Sequence, residues 1–222
     1  MFKQIFELFK SDSLYEQALT ECHEMLENDR EMFNESTKSL RKSDTADIPI
    51  DIYAMDKKIN QFERDVRRKV TTHLAVSGNE DLGSGLILVS VVIDIERIGD
   101  YTKNIYDLAV QHPKKLNTGS FEEILTNMEN ATTDFLNKTI DAFKTQDIEA
   151  ARKLMVEYKT DISATSNEIV NSIVSGSNDE FSSSTASALC LYARYLKRIA
   201  AHSRNLVSSI VNPFERIGYP EK

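Results

Sequence analysis

Glu96 and Asp100 stand one helical turn apart in LGSGLILVSVVIDIERIGDYTKNIYDL, residues 82–108. No proline interrupts this stretch and it is too long for a strand, so it reads as a helix despite its β-branched run. Steps of four and three carry an inward stripe through Leu82, Leu86, Val89 and Ile93 and on to Glu96 and Asp100. Two carboxylates thus fall where the apolar register points at a core. Like charges one turn apart repel by ~0.2–0.5 kcal/mol even in water, and an unpaired buried carboxylate costs several kcal/mol more. Something positive must face the pair, either a basic side chain or a metal ion. Gly99 lies between them at a cost of ~1 kcal/mol against alanine, which a helix accepts when another group must come close.

The preceding helix offers three more oxygen ligands on one line, Asp56, Asn60 and Glu63, spaced by four and three. Asp29 falls on the inward face of the helix before that. Carboxylate and amide oxygens are hard donors that suit Mg, Mn, Ca or Fe. The expected divalent-cation set is Asp56, Asn60, Glu96 and Asp100, with Glu63 and Asp29 as further candidates, and its role is binding rather than catalysis. The competing reading assigns the same acids to salt bridges with Arg64, Arg67, Arg68 and Arg97.

These residues need helices to position them, and the composition supplies helices. The 222 residues hold only 7 Gly and 4 Pro, and no Trp. A first helix opens at Ser11 or Ser13 and runs to about Arg41, with Tyr15, Ala18, Cys22, Met25, Met32 and Leu40 on one face. A second spans roughly 50–76 on the stripe Met55, Ile59, Phe62, Val66 and Val70. After the stretch at 82–108, HPKKLNTG closes the first half. A capping box of Ser120 and Glu123 starts a fourth helix, with Leu125, Met128, Phe135, Ile140 and Phe143 inward. A fifth reaches Val174 and a sixth covers about 184–211. In the tail, ERIG at 215–218 lacks a following Asp and reads as a C-terminal docking segment.

The halves repeat. Glu157 and Asp161 lie 101 positions beyond Asp56 and Asn60, and LKRIAAHSRNL (196–206) lies 101 beyond IERIGDYTKNI (95–105). The expected fold is all-α: two tandem three-helix bundles, residues 1–113 and 114–222, with helices roughly 40 Å long. The second copy has Lys197 for Glu96, Ala201 for Asp100 and Ala200 for Gly99. Glu157 and Asp161 therefore mark a degenerate site, with Lys197 expected to pair with one of them and His202 packed or capped beside it.

Other functions find no support. A ferritin-like di-iron site needs Glu-x-x-His pairs, but Thr20, Val70, Ala109 and Ile199 precede the four histidines by three. GxxxxGK, GxSxG and HExxH are absent, and Gly83-Ser84-Gly85 reads as a helix start. The net charge of −8 argues against nucleic acid and anionic membranes as partners. The first ten residues lack a signal peptide's apolar core, and no apolar run spans a bilayer. Cys22 and Cys190 read as free thiols in a reducing cytoplasm.

Glu96-Arg97-Ile98-Gly99-Asp100, with Asn104 after it, matches in full a phrase of the PhoU family of phosphate-signalling regulators. Asp56-x-x-x-Asn60 and Glu157-x-x-x-Asp161 match the partner motif, and LYARYLKRIAAH at 191–202 is similar to the second-copy phrase with its acids replaced. The resemblance covers essentially the whole chain. It implies a pair of spectrin-repeat-like helical bundles, iron, zinc or another divalent ion on the acidic surface of the first repeat only, and no enzymatic activity. It also implies a cytoplasmic, homodimeric protein that restrains phosphate uptake through a transporter component and a sensor kinase. The alternatives are an adaptor of another ion transporter and a metal-free helical scaffold.

Overall fold

A computed structural model describes residues 13–77, 81–112, 114–157 and 162–221. Every regular element among these is helical: α1 Leu14–Lys42, α2 Ile52–Ser77, α3 Leu82–Gln111, α4 Glu122–Thr145, α5 Ile148–Glu157, α6 Ile162–Val174 and α7 Ser183–Val211. Short 3-10 turns cover Gly119–Phe121 and Phe214–Arg216. Helices α1, α2 and α3 pack as one three-helix bundle. In the other, α4 and α7 pack with α5 and α6, which together take the place of a middle helix. The long third helices α3 and α7 begin 101 positions apart, at Leu82 and Ser183, and pack on each other between the bundles.

Local chemistry sets the ends. Ser13 caps α1, its side chain accepting from Glu16 N at 3.1 Å, and Ser182 accepts from Thr185 N at 3.2 Å at the start of α7. Gln146 ends α4 in the left-handed region at φ 53°. The capping box expected at Ser120 does not form. Gly119 at φ +44° starts a 3-10 turn that shifts the cap to Phe121. Ser120 N instead donates to Glu180 at 3.2 Å and its hydroxyl accepts from Asn178 at 3.0 Å. The tail docks: Ser208 Oγ on α7 accepts from Gly218 N at 2.6 Å, and Asn212 holds the Tyr219 carbonyl at 2.7 Å. Both cysteines are free thiols, and no helix among the described residues is long and apolar enough to cross a membrane.

The phase of α3 differs from the expected stripe. Leu82, Leu86 and Ile93 are 43%, 39% and 38% exposed, and Val89 is half-buried. The buried positions are Gly85, Leu88, Val91, Val92, Asp94, Ile95, Ile98, Gly99, Thr102 and Ile105. Nearly every residue from Leu86 to Ile93 is apolar, so the run lacks the polar contrast that fixes a rotational phase. Packing on two sides fixes it instead: Gly85 faces Leu74 of α2, Gly99 faces Asp29 of α1 and Ile59 of α2, and Asp94 turns to α7.

Candidate metal centre

Asp29 is the deepest group of the acidic cluster. Its side chain is 0% exposed, and neither carboxylate oxygen has a hydrogen-bond partner. The charges among the described residues that shift it are negative: Glu96, Asp56 and Asp100. Burial first, and then these three acids, push its carboxyl well above the ordinary value. An ideal Cβ on Gly99 would lie 2.8 Å from Asp29 Oδ1. A methyl at 99 would force a shift, because α1 delivers a carboxylate against the backbone of α3.

Around Asp29 the expected residues converge from three helices, although Glu96 and Asp100 reach the cluster from half-buried positions. Lys103 binds two of the acids, with Nζ 2.8 Å from Asp56 Oδ1 and 3.2 Å from Asp100 Oδ1. Arg97 Nη1 lies 3.0 Å from Asp100 Oδ2 and its Nε 3.5 Å from Glu96. Asn60 donates its amide back to Asp56, at 2.9 Å to the carbonyl and 3.3 Å to the carboxylate. Glu63 pairs with Arg67 at 2.8 Å. Lys103 is a member of the cluster that the sequence did not single out. Its signal was its place one turn beyond Asp100, where an i,i+3 ion pair forms.

The donor set suits a hard cation in kind: several carboxylates, one of them fully buried with both oxygens free to accept. As placed, no three acidic, histidine or cysteine side chains among the described residues stand so that they could hold a metal ion. The ammonium of Lys103 already occupies two of these acids, Asp56 and Asp100.

Burial, reinforced by Asp100, Glu63 and Asp56 and opposed by Arg97, pushes Glu96 up from about 4.5 to about 6. An acid held above its ordinary value keeps its proton in the folded chain after the unfolded chain has lost it. Its contribution to stability is therefore full at low pH and declines as pH rises from about 4.5 through about 6. Asp29 acts in the same direction. Metal-free Glu96→Gln should therefore gain Tm relative to wild type as pH is raised from 4.5 to 8 in a thermal melt followed by circular dichroism. A constant difference between the two proteins across that range would contradict this account.

Among the described residues, the second repeat lacks the buried carboxylate and the glycine of the first. In the register that aligns Met25, Met32, Ser36 and Leu40 with Met128, Phe135, Thr139 and Phe143, all buried, Asp29 corresponds to Thr132. Thr132 is also buried, but its hydroxyl donates to Met128 O at 2.8 Å. Gly99 corresponds to Ala200, fully buried, so the carboxylate and the glycine are lost together. The expected pairing of Lys197 with Glu157 is not what the structure has. Glu157, 55% exposed, lies 3.8 Å from Lys138, while Lys197 donates to Asn167 at 3.0 Å. An exposed glutamate needs no buried counter-charge, which removes the reason for that pair. Asp161 lies outside the described residues. His202 is packed as expected. It stacks on Tyr101, its counterpart in the repeat, at 5.7 Å, and bonds Asp94 at 2.7 Å, where Asn205 also donates at 2.8 Å.

Comparison with known proteins follows the same division. The family model for the PhoU domain matches twice, over residues 22–109 and 125–210. The phosphate-specific transport system accessory protein PhoU homologue of Clostridium acetobutylicum is 24% identical over 212 residues, spanning 92% of this chain and 88% of its own. The crystal structure of PhoU from Pseudomonas aeruginosa superposes with a TM-score of 0.80 at 20% identity, covering 89% of this chain and 95% of that one. The crystal structure of the phosphate transport system regulatory protein PhoU from Streptococcus pneumoniae superposes with a TM-score of 0.67 at 20% identity, over 93% and 94%.

Proposed function

The chain belongs to the PhoU family, and from that premise we propose that it is a cytoplasmic accessory regulator of phosphate transport. It would dock as a homodimer on a transporter component or its sensor kinase and restrain uptake. The observation that carries this reading is the pair of PhoU domains, matched along nearly the whole length of an accessory protein of a phosphate-specific transport system. Deleting the gene is expected to raise phosphate uptake and to deregulate phosphate-responsive expression. Unchanged uptake and expression would turn the reading towards an adaptor of another transporter.

Within this role the first repeat is a divalent-cation site and the second is not. Asp29, Asp56, Glu96 and Asp100 would hold the ion, with Asn60 and Glu63 at the edge. Such an ion would supply the positive charge that lets the clustered carboxylates ionise together. The two unpartnered oxygens of Asp29 support this. Against it, the ion pairs of Lys103 and Arg97 favour a metal-free helical scaffold. Metal analysis of the purified chain separates the two: wild type should carry a divalent ion and Glu96→Gln/Asp100→Asn should not. Equal metal in both proteins would refute the site.

A further inference from the structure

We propose that Lys103 is a displaceable occupant of the cation site, an internal ammonium that a divalent ion must expel in order to bind. This rests on the cation reading above and assigns a residue outside the acidic motifs to the control of that site. Three observations carry it. First, Lys103 Nζ bonds Asp56 Oδ1 and Asp100 Oδ1 at once, bridging α2 and α3, so a dication and the ammonium compete for the same oxygens. Second, beneath this pair lies the fully buried Asp29, whose unpartnered oxygens no cation among the described residues reaches. The internal charge satisfies the rim and leaves the floor unsatisfied. Third, the Lys103 side chain is 23% exposed. A lysine carries a compact charge on a flexible four-carbon stem, so it can leave towards solvent without moving the helix. Arg97 does not block the site in the same way, because it is half-exposed and takes Asp100 Oδ2 and Glu96 from the outside.

The consequence is an exchange of one cation for another. The empty site stays tied across α2 and α3, and the affinity for metal is set below what the acids alone would give. Removing the ammonium should tighten metal binding while the fold is kept. Full-length wild type, Lys103→Met and Lys103→Arg, stripped with chelator, would be titrated with manganese(II) by isothermal calorimetry. Lys103→Met is expected to bind about tenfold more tightly than wild type, or about 1.4 kcal/mol, and Lys103→Arg is expected not to tighten. In parallel, acetylation of wild-type lysines read by mass spectrometry should show Lys103 becoming more reactive when manganese is bound, with exposed Lys38 unchanged.

Equal or weaker binding by Lys103→Met overturns the proposal. Should that variant not fold, the labelling decides, and unchanged Lys103 reactivity in manganese-loaded wild type overturns it equally. If neither wild type nor Lys103→Met binds manganese, the cation reading fails and this inference fails with it. Binding that is indifferent to Lys103 removes this inference alone.

Discussion

Replacing Arg41 with methionine is expected to destabilise the chain by about 3–5 kcal/mol, the range for stranding a buried charge. Arg41 ends α1 and its side chain is only 7% exposed. Its Nε lies 2.5 Å from Glu129 Oε1 on α4, its Nη2 lies 2.8 Å from Glu122, and its Nη1 donates to the carbonyl of Leu116 at 3.1 Å. The guanidinium thus ties the first bundle both to the second and to the segment that joins them. Leu116 N also donates to Leu40 O at 2.8 Å. Glu122 is exposed and contributes little. Glu129 is 12% exposed and would be left beside the fully buried Tyr192 without its cation. Urea unfolding is the measurement. Arg41→Met/Glu129→Gln should lose less than Arg41→Met alone, because the stranded charge is removed. A loss below about 1 kcal/mol for the single change would show that this pair does not hold the repeats together.

Gly99→Ala should change sign with its background. Alone in metal-free protein, the new methyl meets Asp29 Oδ1 at 2.8 Å and Ile59 Cδ1 at 3.1 Å. Overpacking of this kind costs ~1–3 kcal/mol and outweighs the ~1 kcal/mol that alanine gains over glycine in a helix. Asp29→Thr transplants the residues of the second repeat, where Thr132 bonds its own helix and both it and Ala200 are fully buried. It removes both the obstructing oxygen and a buried carboxyl with no partner, itself worth ~1–3 kcal/mol. Asp29→Thr/Gly99→Ala should therefore be more stable than wild type, by roughly 1–3 kcal/mol on the same terms, and should lose divalent binding. A methyl at 99 that destabilises equally in both backgrounds would mean that Ile59, not Asp29, demands the glycine.

Helix positions were readable because each of α1, α2, α4 and α7 alternates apolar and polar residues with a helical period, and because Ser13 carries cap chemistry in its side chain; the cap of α7, Ser182, was not picked out. The acids that cluster around Asp29 were readable for the same reason. Asp29 interrupts an otherwise apolar stripe, and Asp56, Asn60 and Glu63 keep helical spacing, so one-dimensional order already places them towards neighbouring helices. The repeat at 101 positions and the joint loss of Gly99, Glu96 and Asp100 in the second copy were visible as letters.

Other features were decided only in three dimensions. The face that α3 buries could not be read from a run in which nearly all residues are apolar; it follows from having α1 and α2 on one side and α7 on the other. The nearest neighbour of a methyl at 99 would be Asp29, 70 positions earlier, and only the packing of α1 against α3 brings its oxygen there. Arg97 pairs with Glu96 and Asp100 from its own helix, but the cation that bridges two helices is Lys103, which reaches across to Asp56 because its flexible stem spans the gap between α3 and α2, a distance sequence spacing does not encode. Lys197 bonds Asn167 and not Glu157 for the converse reason: charge alone nominated the pair, but Glu157 stands in water beside Lys138, where its charge costs little.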